Sequence, residues 1–229
     1  MLKGQALERA RQRVPGIIKV LRRQYPQSRT ALHYRTPLQI LVATILAAQC
    51  TDERVNKVTP DLFRKYPDAA AFAAADPLDL QGEIRSTGFF RNKAKNIIGA
   101  ALTMVRDFGG DVPSTMDELL TLPGVARKTA NIVLSSGFGK AEGIAVDTHV
   151  RRLSGRLGLS RELVPEKIER DLLAVVPRRD WLDFNYMLVS HGRQVCPARK
   201  PRCPECSLAA LCPSAVKLHP ELKRKRAKG

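Results

Sequence analysis

Apolar residues recur at helical spacing along much of the chain, and this period constrains the fold more than any other feature. Between Arg91 and Phe108 they fall at positions 94, 97, 98, 101, 102, 105 and 108, the pattern of an amphipathic helix. The same spacing recurs at Ile168, Leu172, Val175 and Val176. No Asn-Gly or Asp-Gly dipeptide, the strongest short signal for a β-hairpin, occurs. The sequence therefore predicts an all-α protein.

Two short helices are predicted on either side of a tight Pro-Gly turn. Ser114 followed by Asp117 has the form of a helix N-cap, and the first helix ends before Pro123. A second helix is expected from about Arg127 to position 136, where Gly137 can end it. The first amide groups of that second helix could hold a phosphate. Taken alone, the pattern is better explained as a purely structural helical hairpin.

Charge is unevenly distributed along the 229 residues, in which 39 Lys and Arg against 22 Asp and Glu give a net charge of +17. Residues 1–35 hold nine bases and one acid, and residues 217–229 hold six bases and one acid. Such an excess is typical of proteins that bind a polyanion, most often nucleic acid. Solvated basic tails are the alternative, and charge alone does not separate the two.

The longest strongly apolar stretch, residues 40–48, is far shorter than the roughly 18 residues that a membrane span needs. We therefore expect a buried helix there, no membrane partner and a cytoplasmic location.

Four of the five cysteines form the spacing C-x6-C-x2-C-x5-C, as Cys196, Cys203, Cys206 and Cys212. In a reducing compartment such a group is more typical of a metal site than of a disulfide framework. Four thiolates at these spacings could hold tetrahedral zinc or an iron–sulfur cluster. Cys50 stands apart and is expected to be a small buried hydrophobe.

Several motifs together point to a known family. These are LPGVARKTANIVL at 122–134, VDTH at 146–149 and the cysteine spacing at 196–212, with AQCTDERVNK at 48–57 and GFFRNKAKNI at 88–97. In order and spacing they resemble the endonuclease III family of helix-hairpin-helix DNA glycosylases. The similarity extends over most of the chain.

The resemblance implies an all-α protein of two helical domains with a DNA cleft between them. Residues 30–140 would form a six-helix barrel that contains the helix-hairpin-helix at about 115–136. Residues 1–29 together with 141–229 would form an iron–sulfur cluster domain from both chain ends. The two basic ends would then lie on one domain.

By the same resemblance, Lys128 is the nucleophile that attacks the sugar C1′ and forms a Schiff base. Asp147 is the carboxylate that activates this lysine and stabilises the cationic sugar. A helix N-terminus disfavours positive charge, which suits a lysine that must lose its proton to attack. Without the resemblance, a surface lysine that contacts phosphate and a simple helix cap would be preferred.

The resemblance also assigns DNA contacts. Gln49 and Phe89 match positions that enter the base stack when a damaged nucleotide is extruded, although leucine is common where this chain has Phe89. Ala126 replaces a usual glycine, so a left-handed conformation there would carry strain. Basic residues after Phe89, including Lys93, fit phosphate-binding charge. The full set of expected contacts is Gln49, Phe89, Gly124, Val125, Ala126, Arg127, Thr129, His149, Arg199 and Lys200.

The implied function is a base-excision-repair DNA glycosylase with AP (abasic-site) lyase activity that removes oxidised pyrimidines. The implied cofactor is a 4Fe–4S cluster on the four clustered cysteines, with zinc as the alternative metal. The partner would be double-stranded DNA with damaged bases or abasic sites, bound by a nucleoid-associated monomer. Alternatives are a mismatch-specific thymine or adenine glycosylase and a non-catalytic iron–sulfur DNA-binding protein.

Overall fold

The computed structural model describes residues 1–27 and 29–222, and every regular element in that part of the chain is helical. The basic residues of the C-terminal tail after position 222 lie outside the described residues. The α-helices are, in chain order, α1 Gly4–Gln24, α2 Pro37–Leu46, α3 Asp52–Lys65, α4 Ala69–Ala73, α5 Pro77–Glu83, α6 Phe90–Asp107, α7 Met116–Leu119, α8 Arg127–Ile132, α9 Thr148–Arg156, α10 Pro165–Val175, α11 Trp181–Gln194 and α12 Ala215–Leu218. The expected all-α class is confirmed.

The chain divides into two compact units. The hairpin unit is Thr30–Glu142, and the terminal unit holds the described residues of Met1–Arg29 and Gly143–Gly229. Each unit has its own cluster of buried apolar side chains. Within the described residues, no helix is both long enough and apolar enough to cross a membrane.

The hairpin unit is built around α2, the apolar stretch seen in the sequence. Thr36 caps this helix by accepting a hydrogen bond from the Gln39 amide at 3.2 Å, and Pro37 occupies its first turn. Ile40, Leu41 and Leu46 are fully buried. The predicted amphipathic helix is α6, whose apolar face covers α4 and α5. Gly99 of α6 lies against Pro123, since a Cβ placed on it would be 3.2 Å from the proline ring.

The terminal unit joins helices from both ends of the chain. The buried face of α1 consists of Ala10, Val14, Ile17 and Leu21, at the spacing of a helix that packs on one side. This helix contacts α10 and α11, and α11 packs in turn on α9.

The cap of α7 lies one residue further along the chain than predicted. Thr115, not Ser114, is the N-cap: its hydroxyl accepts from the Glu118 amide at 3.4 Å and donates to the Glu118 carboxylate at 2.7 Å. Adjacent Ser and Thr can both cap, and the reciprocal bond with Glu118 decides between them. The helix predicted from Arg127 to position 136 is α8 continued by a π-helical turn, Val133–Gly137.

Candidate active site and nucleic-acid interface

The turn between α7 and α8 reverses the chain at a single glycine. Gly124 has φ +77°, and Val125 is buried with its amide bonded to the Leu122 carbonyl at 3.1 Å. A Cβ on Gly124 would lie 2.7 Å from the Asn96 side chain. Both the left-handed backbone and this close approach require glycine at position 124.

Ala126 carries no backbone strain, so the expectation of a left-handed conformation there is wrong. It has φ −89° and ψ 167°, an extended conformation, and is the N-cap residue of α8. One glycine completes the reversal two residues earlier, which leaves position 126 in a conformation that alanine adopts freely.

Substitutions at positions 124 and 126 should therefore have opposite results. Gly124→Ala should weaken both folding stability and duplex binding, because the left-handed backbone costs about 1 kcal/mol and the new Cβ meets Asn96. Ala126→Gly should relieve no strain, and duplex affinity should stay within about twofold. Urea unfolding and fluorescence anisotropy with a short duplex would measure both. Tighter binding by Ala126→Gly would contradict this assignment of the strain.

Lys128 is the second residue of α8, as predicted, and its side chain is exposed. Its neighbours Arg127 and Thr129 are half-buried. The first amides of an α-helix have no intrahelical acceptor, so this turn combines backbone donors with an accessible amine. Because Lys128 is exposed, the protein alone does not exclude water from its amine.

Asp147 is the N-cap of α9. Its carboxylate Oδ1 accepts a hydrogen bond from the Val150 amide at 2.8 Å, and the residue is half-buried. One carboxylate oxygen therefore has a structural partner. Lys128 belongs to the hairpin unit and Asp147 to the terminal unit.

Three residues other than glycine have a left-handed backbone in the described part of the chain, and all three are predicted DNA contacts. They are Gln49 with φ 52°, Phe89 with φ 47° and Lys200 with φ 50°. Each conformation costs on the order of 1–3 kcal/mol, and such strain is typical of functional sites. Phe89 is 61% exposed, so it is not part of the core. Gln49 is also exposed.

Lys93 does not provide the surface charge that the sequence suggested. It is only 4% exposed, and its Nζ donates to the carbonyls of Leu46 at 2.7 Å and Thr87 at 2.8 Å. Burial lowers the pKa of this ammonium, while the Cys50 thiol acts in the opposite direction. Cys50 itself is half-buried against the core of the hairpin unit, close to its expected role.

Two arginines that the sequence reasoning missed hold the start of the cysteine loop, which is residues 196–212. Arg152 Nε donates to the Cys196 carbonyl at 3.1 Å, and its Nη2 lies 3.1 Å from His149 Nδ1. Arg156, one turn later on α9, donates to Cys196 Sγ at 3.1 Å and to the Pro197 carbonyl at 2.7 Å. Their i, i+4 spacing was the available signal. The exposed Arg199 and Lys200 follow directly on this anchored segment.

All four clustered cysteines line one pocket in the terminal unit, together with the buried His191. Burial, more than repulsion from the other thiols, raises the pKa of Cys206 to about 11. Burial also raises the pKa of Cys203 and Cys212. Thiols with a raised pKa become thiolates readily only beside a cation, so the donor set fits a metal group.

Among residues 1–27 and 29–222, no three His, Cys, Asp or Glu side chains form a site for a single ion. The chemistry of the four cysteines fits both groups expected from the sequence, zinc and an iron–sulfur cluster.

His191 is a further residue that the sequence reasoning missed. Its Nδ1 lies 3.2 Å from the Tyr25 hydroxyl and its Nε2 lies 3.4 Å from Cys206 Sγ. Burial lowers its pKa to about 4, so the ring is neutral at physiological pH. It connects α1 to the cysteine pocket.

Comparison with known proteins agrees with this geometry. A family profile described as HhH-GPD superfamily base excision DNA repair protein matches residues 42–178. An endonuclease III from Synechocystis sp. is 58% identical over 205 residues, which cover 90% of this chain and 94% of that protein. The chain belongs to the endonuclease III family. The resemblance inferred from the sequence motifs is confirmed.

Further similar proteins agree with this chain in sequence and in fold. An endonuclease III from Bacillus subtilis is 46% identical over 190 residues, which cover 82% of this chain and 86% of that protein. A solved trapped endonuclease III–DNA covalent intermediate is 38% identical and superposes with a TM-score of 0.85, covering 95% of this chain and 99% of that one. A thermostable thymine-DNA glycosylase is 27% identical with a TM-score of 0.81, covering 90% and 98%.

Proposed function

We propose that the chain is a base-excision-repair DNA glycosylase with AP lyase activity, and that it removes oxidised pyrimidines from double-stranded DNA. The observation that carries this proposal is Lys128, an exposed amine on the first turn of α8 in a family that includes a trapped protein–DNA covalent intermediate. It acts as a monomer on nucleoid DNA in the cytoplasm.

The reaction begins at the sugar of the damaged nucleotide. The deprotonated Lys128 amine attacks C1′, the C1′–N bond breaks and its electron pair leaves with the base, which takes up a proton. The sugar ring then opens, and a Schiff base forms between Lys128 and C1′. Loss of a C2′ proton then expels the 3′ phosphate and cuts the strand. The bound duplex must exclude water from the exposed amine, since the protein alone does not bury it.

Asp147 contributes a negative charge at the developing cationic sugar. Its Oδ1 accepts the hydrogen bond from the Val150 amide, which fixes the orientation of the carboxylate. Capping and catalysis therefore use the same side chain in one orientation.

The DNA backbone and base stack are held by separate parts of the hairpin unit. The turn offers the backbone amides of Gly124 and Ala126 to a phosphate, next to Arg127 and Thr129. The Val125 amide, a predicted contact, already donates to the Leu122 carbonyl, so Val125 shapes the turn instead. Gln49 and Phe89, both exposed on left-handed backbone, fill the gap left by the extruded nucleotide. In the terminal unit, His149, Arg199 and Lys200 contact the duplex.

The four clustered cysteines, Cys196, Cys203, Cys206 and Cys212, hold a 4Fe–4S cluster. The cluster is structural: it would fix the cysteine loop that presents Arg199 and Lys200 and takes no part in bond cleavage. The N–H of Arg156 that donates to Cys196 Sγ is the kind of contact that tunes a cluster ligand.

Metal analysis would test the cluster. We expect about four iron atoms and four sulfides per chain, with broad visible absorption. Cys203→Ser, at a buried member of the set, should lose most of the iron, whereas Cys50→Ser in the hairpin unit should retain it. A colourless protein with one zinc ion per chain would refute the 4Fe–4S assignment.

A strand-cleavage assay over a panel of duplexes would test the substrate class. We expect cleavage at thymine glycol, dihydrouracil and abasic sites, and little at a thymine mismatched with guanine. The second candidate is a mismatch-specific thymine glycosylase, favoured by the thymine-DNA glycosylase at a TM-score of 0.81. Preference for the mismatch would select it.

A further inference from the structure

One buried lysine ammonium joins the ends of two different elements in the hairpin unit. Lys93 Nζ, on α6, donates to the carbonyl of Leu46, the last residue of α2. It also donates to the carbonyl of Thr87, the last residue of the 3-10 helix Arg85–Thr87. The two distances are 2.7 Å and 2.8 Å, and the lysine is 4% exposed.

Both acceptors lie just before the residues proposed to enter the base stack. Gln49 is three residues after Leu46, and Phe89 is two residues after Thr87. Both are exposed on left-handed backbone, a conformation that persists only where the surroundings hold it. The Lys93 ammonium therefore links the starts of two strained loops directly. We call the exposed residues of these loops, Gln49 and Phe89, the insertion tips.

A lysine suits this place for physical reasons. Carbonyls at helix ends lack intrahelical donors and carry partial negative charge, so they favour a cation. An ammonium has three donors on a compact charge and can bridge two acceptors that approach from different directions. In the described part of the chain Lys93 makes no ion pair, so these carbonyls are its principal partners.

We propose that Lys93 is a positioning residue that holds the Gln49 and Phe89 tips at one spacing so that they enter the duplex together. This inference rests on the proposed function. Lys93 does not touch the reacting atoms, and its effect passes through the two tips.

The test compares a double-stranded and a single-stranded substrate, because only extrusion of a nucleotide from a duplex leaves a gap for Gln49 and Phe89 to fill. One is a duplex with a dihydrouracil, whose extrusion leaves a gap to fill; the other is a single-stranded oligonucleotide with an abasic site. Lys93→Met removes the ammonium and keeps an unbranched side chain. We expect its rate on the duplex to fall at least tenfold relative to its rate on the single strand. A partly unfolded preparation would lose both rates equally, so the ratio is independent of the folded fraction.

Four further variants make the result specific. Lys65→Met is the matched control, since it removes the same charge from the same unit at an exposed lysine paired with Glu83. It should leave the ratio unchanged. Lys93→Gln, which keeps N–H donors and is the second variant if Lys93→Met does not fold, should lower the ratio less. In a Gln49→Ala, Phe89→Ala background, Lys93→Met should have no additional effect on the ratio.

Equal losses on both substrates, or a full additional loss in the background without tips, would overturn the positioning role. If the unsubstituted protein cleaves neither substrate, the proposed function is contradicted instead, which separates the two failures.

Discussion

The Lys128→Ala protein should form no borohydride-trapped adduct with abasic-site DNA. Borohydride reduces the Schiff base to a stable secondary amine, so trapping requires an amine that has reached C1′. Lys128 is exposed on the first turn of α8, and alanine is compatible with that helix. The adduct seen on a denaturing gel should therefore fall roughly a thousandfold or below detection, while the fold is retained.

Lys65→Ala is the control for this experiment. It removes a lysine of the same unit whose ion pair with Glu83 lies at the surface, where such pairs contribute little. Its trapping should equal that of the unsubstituted protein. Full trapping by Lys128→Ala would assign the nucleophile to another amine and would reduce Lys128 to a phosphate contact.

Asp147→Asn should fold and bind damaged DNA but lose most turnover, roughly a hundredfold or more. Asparagine caps a helix as well as aspartate does, so the bond from the Val150 amide and α9 itself should survive. What disappears is the negative charge beside the cationic sugar. Single-turnover base excision and duplex affinity, measured side by side, would separate the two effects.

Asp76→Asn provides the matched control, since Asp76 caps α5 in the same way, through the amides of Leu78 and Asp79. Turnover should not change there. If Asp147→Asn also turns over at the normal rate, Asp147 is a cap and nothing more.

The helices were predictable from the sequence wherever burial is one-sided. Helix α6 was expected from Arg91 to Phe108 and is found at Phe90–Asp107, because its apolar stripe repeats over five turns. The position of Lys128 in α8 also follows from the Pro-Gly turn that precedes it. By contrast, the boundary at Thr115 depends on a reciprocal bond with Glu118 that spacing alone does not specify.

The candidate site was less predictable because its key features are exceptions to residue preferences. The residue types of Gln49, Phe89 and Lys200 do not predict their left-handed backbone. Apart from glycine, the residues that usually adopt this conformation are Asn and Asp. Lys93 is buried although lysine is normally exposed. A signal did exist for Lys93, because it lies four residues before Ile97 and so shares the buried face of α6.

Helix α6 has one further consequence, which concerns length. It starts at Phe90, next to Phe89, and nine residues later, or about 14 Å of helix, Gly99 lies against Pro123 in the turn between α7 and α8. Because a continuous helix does not shorten, α6 fixes the distance between Phe89 and the turn that contains Pro123. On the proposed function, the duplex must present its stacking gap and its bound phosphate at that separation.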